Sequence, residues 1–132
     1  DGLAFQSVSN TMQGDAGGSL CVAFSNGVWY IGTYLKLYKT TDFLTFTEIT
    51  TPSTGSIKAS ALGADSFGSV VVTNLAPVGA DDRHYLIENH GATVTGIPSL
   101  YSPIANSYSF ATDNQGFWIA GQGSGYAKTA IV

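Results

Sequence analysis

Charge is what this sequence has least of. Charged side chains make up 11% of the 132 residues, against about a quarter in an average globular domain. A free monomer bathed in solvent fits that scarcity poorly, and a β-rich protein that is exported or built into an assembly fits it better. The five bases are scattered among nine acids, for a net charge of −4. No basic stripe is left to neutralise phosphates, so nucleic acid is excluded as a partner. Cysteine is almost absent: Cys21 stands alone in the apolar run "LCVAF". That excludes an internal disulfide and a Cys-x-x-Cys metal site, and Cys21 reads as a small buried hydrophobe. No apolar run approaches the ~20 residues of a spanning helix, and no basic segment leads into an apolar one, so no membrane insertion is expected. The chain opens at Asp1 rather than Met, as a processed or excised chain would.

What is present is β-forming. Hydrophobic residues are 44% of the chain, too many for disorder, and the length suits a single domain over 1–132 with one core. Short runs rich in Val, Ile, Thr, Tyr, Phe and Trp ("SLCVAF", "VWYIGTY", "KLYKT", "FTEIT", "SVVVTN", "HYLIEN", "YSFAT", "GFWIAG", "YAKTAIV") alternate with Gly, Asn, Asp, Ser or Pro, and none has helical spacing. Asn26-Gly27 and Asp113-Asn114-Gln115-Gly116 read as tight hairpin turns. The expected fold is all-β: an antiparallel meander of blade-like repeats, or alternatively a β-sandwich.

The two hairpins expose an internal repeat. "VAFSNGVWYIG" with its later "KTT" matches "SFATDNQGFWIAG" with its later "KTA", so Trp29 aligns with Trp118, Gly32 with Gly121 and Lys39-Thr40 with Lys128-Thr129. The offset of 89 residues is about twice a propeller blade of 40–50 residues, which leaves space for a middle copy. "SVVVTN", the loop "LAPVGADD", "RHYLIEN" and "ATVTGI" occupy it, without the Trp or the Lys-Thr pair. Trp29 and Trp118, equivalent in the repeat, are expected to pack unit on unit, while Tyr34 and Tyr38 are expected to be exposed and able to stack on a sugar or a partner.

The corner "LYKTTDFLTFTEI" resembles the Asp-box (BNR) repeat of sialidase-type propellers, and is similar to the "S-x-D-L-x-x-W" corner of five-bladed glycoside hydrolases. Position by position, Thr40 is the Ser/Thr, Asp42 the box aspartate, Thr45 the Thr and Phe46 the place of the Trp; Leu44 stands near the missing glycine. The resemblance implies a propeller whose box aspartate sits at a blade corner, away from any active centre. Phage tail and appendage proteins resemble such propellers as well. Read physically, Asp42 closes an Asx-type turn by accepting amides that follow it, Thr40 does so more weakly, and Phe46 packs beneath.

Catalytic constellations are scarce. Glycosidases need two facing carboxylates, and the resemblance to sialidases implies an arginine triad that a chain with Arg83 as its one arginine cannot supply. Asp81, Asp82, Arg83 and His84 form the densest polar cluster, a candidate for binding a ligand or cation. His84, Glu88 and His90 would share a face on an unbroken strand, but "ENHG" reads as a turn and no metal or other cofactor is expected. "GQGSGY" lacks the spacing of a nucleophile elbow, and "GDAGGS" carries Ala16 where a serine protease has its nucleophile.

Three units do not close a propeller, which needs about four to eight blades, so a homo-oligomer or a larger protein assembly is the expected setting. The reading is a non-enzymatic structural or receptor- and glycan-facing component of a phage-like virion or other extracellular assembly. Two alternatives stay open: an excised part of a glycan-hydrolysing propeller, and a free carbohydrate-binding module.

Overall fold

Among the described residues, twelve short strands pair only with their sequence neighbours, as expected of β-forming runs separated by tight turns. In a computed structural model they form three antiparallel meander sheets. The structure describes residues 19–33, 35–51, 55–74, 84–97, 107–115, 117–122 and 125–130. The first sheet holds β1 (Ser19–Ser25), β2 (Val28–Thr33), β3 (Leu37–Thr40), β4 (Thr47–Thr51) and the short β5 (Gly55–Ser56). The second holds β6 (Ala59–Ala64), β7 (Val70–Asn74), β8 (His84–Glu88) and β9 (Thr93–Ile97), and the third β10 (Ser107–Thr112), β11 (Phe117–Gln122) and β12 (Gly125–Ala130).

The sheets repeat one register. In each, the first strand carries a single extra residue (Leu20, Ser60 or Tyr108), and pairing resumes at Cys21↔Gly32, Ala61↔Thr73 and Ser109↔Gly121. A bulge at the same place in three ladders aligns everything that follows. Trp29 pairs with Thr40, and Trp118 with Thr129, so the repeat legible in the sequence is also a repeat of pairing. The middle sheet begins a strand earlier than "SVVVTN", at "ASALGA", and it has Val70 where the others have Trp29 and Trp118.

Sheet packs on sheet through first strands, β6 lying against β1 and β10 against β6. Small residues permit this approach. A Cβ on Gly32 would come 2.5 Å from the Cys21 sulfur and 2.6 Å from Ala59 Cβ, and one on Gly63 would collide with Phe110. Successive side chains of a strand point to opposite faces. Val28, Tyr30, Leu37 and Ile49 on one face of the first sheet therefore meet Val70, Val72, Tyr85 and Ile87 on the facing side of the second, closed by Ile57 and Ala59. All of β7 is buried, because neighbours cover both of its faces. Cys21 is half-buried in this seam; burial pushes its thiol up to about 11, against a smaller opposite effect of the Gly32 amide.

Candidate functional site

The hairpin turns collect at one end of the sheets. Asn26-Gly27 joins β1 to β2, residues 41–46 join β3 to β4, residues 65–69 join β6 to β7, Asn89–Gly91 forms a 3₁₀ turn after β8, and residues 113–115 follow β10. Together the first, second and fourth of these turns border a depression of about 400 Å³, with Lys39, Thr40, Asp42, Thr45, Thr47 and His90 along its wall.

The Thr40–Thr45 corner is built by side chains that cap backbone. Asp42 Oδ1 accepts the amides of Leu44 and Thr45, each at 2.8 Å, and the Thr40 hydroxyl at 3.2 Å. Thr40 Oγ1 in turn accepts the amides of Asp42 at 3.3 Å and Phe43 at 3.0 Å. The amides of Thr45 and Leu44 hold the Asp42 carboxyl below its ordinary range, outweighing a smaller effect of burial, with the Thr40 hydroxyl and the residue's own amide adding to them. Asp42 itself is exposed. Phe43 takes a left-handed φ of 58°, uncommon for a bulky residue. Its ring lies 5.5 Å from Trp29, and Trp29 lies 4.8 Å from Phe24. The ring that reaches Trp29 from this corner is thus Phe43; Phe46 is half-buried, outside a strand.

A second aspartate turn stands beside it. Asp65 Oδ1 accepts the amides of Phe67, Gly68 and Ser69 at 2.8–3.0 Å. The Ser25 hydroxyl donates to the Asp65 carbonyl at 2.6 Å, and the Ser66 amide donates to Asn114 Oδ1 at 3.0 Å. These bonds tie the first hairpins of all three sheets together. Lys39 Nζ donates to the His90 carbonyl, joining the first sheet to the second across the depression. None of these cross-sheet pairings is marked in the sequence, since each joins residues about 40 or more apart; the turn signals at Asn114 and "ENHG" mark the turns without their partners.

The other expected site residues fare differently. Tyr38, expected to be exposed, is 5% exposed: it sits on a strand face whose outer part is covered, which alternation alone does not reveal. His84 is half-buried with its ring edge-on to Phe110 at 6.2 Å. His90 lies in the 3₁₀ turn at φ 55°, so the alternation that would align it with His84 and Glu88 ends at Glu88. Tyr34 and the Asp81-Asp82-Arg83 run lie outside the described residues, as do residues 14–18 of "GDAGGS" and the loop "LAPVGADD". Among the described residues no group of His, Cys, Asp and Glu is arranged to hold a metal ion, and no helix is long and apolar enough to cross a membrane.

Comparison with protein-family models, with curated proteins and with solved structures returns no match.

Proposed function

We propose that the three sheets are consecutive blades of a propeller, and that the chain is a non-enzymatic structural component of an extracellular or virion-like assembly that presents its turn-lined end to a receptor or glycan. The observation that carries this reading is the employment of Asp42. It is the one carboxylate among the described residues lining the depression, and its Oδ1 already accepts two turn amides and a hydroxyl. Glycoside hydrolysis needs two carboxyl groups facing each other across the bond, and a carboxyl held below its ordinary range is a poor proton donor at neutral pH.

The same depression is suited to holding a polar ligand. Its volume falls within the roughly 300–1,000 Å³ of small-molecule sites. Threonine hydroxyls, the Asn26 amide and the Lys39 ammonium supply hydrogen-bonding groups of the kind a sugar uses. The repeated bulge supports the blade reading, and so does the resemblance of "TTDFLTF" to an Asp-box.

A glycan array with the isolated chain, run beside a panel of chromogenic glycosides, tests the proposal. Expected are retained glycans, at least a tenfold loss of their binding in Thr47→Lys at unchanged melting temperature, and no turnover of any glycoside. Turnover that disappears in Asp42→Asn would overturn it in favour of a glycosidase.

A further inference from the structure

The second sheet shows which face of a sheet receives the sheet before it. Leu62, Ala64, Val70, Val72, Tyr85 and Ile87 share that face and meet the core residues of the first sheet. By register, their equivalents in the first sheet are Val22, Phe24, Trp29, Ile31, Tyr38 and Thr40. Five of these six are apolar or aromatic, as a receiving face should be. Ile31, Tyr38 and Thr40 are already buried, but the row nearest the first strand is open: Val22 is 57% exposed and Phe24 51%. Phe24, Trp29 and Phe43 form a continuous row of rings there. Aromatic rows of this kind dominate the energetics of protein interfaces.

The covering surface is specified by the same repeat. Within the chain, the position that accepts the next sheet is Gly32, over which Ala59 sits. Gly121 holds the register position of Gly32 in the third sheet, and Ser19 that of Ala59 in the first. A first sheet placed after a third sheet would reproduce the Gly32–Ala59 arrangement of the first junction, with Gly121 beneath Ser19; at the second junction the same position is Thr73. Six sheets lie within the range of about four to eight that closes a propeller.

We infer that a second copy of this chain covers the Val22–Phe24–Trp29 row, its third sheet against the first sheet of its partner, so that two chains close one six-sheet ring. The dimer is two-fold symmetric and makes the contact twice: the first-sheet and third-sheet surfaces differ, and each chain uses both. The inference rests on the proposed reading of the three sheets as propeller blades and is independent of what the ring binds; the assays of glycan binding and turnover do not bear on it.

Light scattering on the 132-residue chain tests it first. Expected is a mass twice the 13.7 kDa of one chain, halved by Phe24→Asp at an unchanged circular dichroism spectrum, since Phe24 is 51% exposed and its ring meets Trp29 outside the core cluster. Disulfide trapping then fixes the direction. In a Cys21→Ser background, Ser19→Cys combined with Gly121→Cys should give a covalent dimer on a non-reducing gel, and either substitution alone should not. A chain that stays at the single-chain mass at every concentration overturns the inference. So does a dimer that Ser19→Cys alone crosslinks, or one that the combined substitutions fail to crosslink.

Discussion

The first and second sheets share a bulge and a register, yet the same face meets different fates in each. In the second sheet, Val70, Val72, Tyr85 and Ile87 are at most 2% exposed on that face, whereas the first sheet leaves Val22 and Phe24 more than half exposed. Backbone pairing is therefore decided within a sheet, while the preceding sheet decides the cover of the row nearest the first strand; Ile31, Tyr38 and Thr40 of the first sheet are buried although no described sheet precedes theirs. The contrast extends to the turns: Asp65 is tied to the first sheet's hairpin through Ser25 and its neighbour Ser66 to the third sheet's through Asn114, while the Asp42 side chain bonds only within its own corner.

The largest effect should come from the covered face. Ile87→Ala removes a fully buried side chain from the seam between sheets, and urea titration should show a loss of roughly 2–5 kcal/mol. Phe24→Ser on the open face, measured at high dilution, should change the same free energy by less than about 0.5 kcal/mol. Equal losses would mean that the two faces are covered alike.

The turns should separate next. Asp65→Ala frees three backbone amides and withdraws the carboxylate near Ser25, for a loss of roughly 1–3 kcal/mol by urea titration. Replacing Asp42, which is exposed, should lower the melting temperature by less. A larger effect at Asp42 than at Asp65 would place the stability of this end in the corner rather than in the bonds between sheets.

These contrasts mark how far the sequence could be read. Strands with branched and aromatic residues are legible because each such side chain fits a pleated surface whatever covers it. "ASALGA" is not, although both other sheets pack on it: Ala59 and Gly63 must be small because Gly32 and Phe110 approach them, and small residues carry no strand signal. The capping by Asp42 is legible because its donors lie within three residues. The cross-sheet bonds of Ser25, Asn114 and Lys39 depend on stacking that no local pattern encodes. Burial of Tyr38 fails to show for the same reason: alternation assigns a side chain to a face without saying whether another element covers it.

The smallest effect isolates the charge of Asp42 from its hydrogen-bonding shape. Asp42→Asn keeps an acceptor oxygen for the Leu44 and Thr45 amides but removes the negative charge that those dipoles stabilise. The folded carboxyl lies below the ordinary aspartate value of 3.8, so its contribution to stability is present above the unfolded value and is lost as pH falls through the lower folded one. The melting-temperature gap between the parent chain and Asp42→Asn should be constant from about pH 7 to pH 5 and should close below about pH 4. Glu48 also titrates low. Burial opposes its charge, but the Lys36 ammonium, 2.8 Å away, and the Ser56 hydroxyl outweigh that burial. Glu48 titrates alike in both proteins, so it cancels in the difference. A gap that persists unchanged to pH 2 would show that the amide substitution weakens the corner through geometry and that the charge contributes nothing.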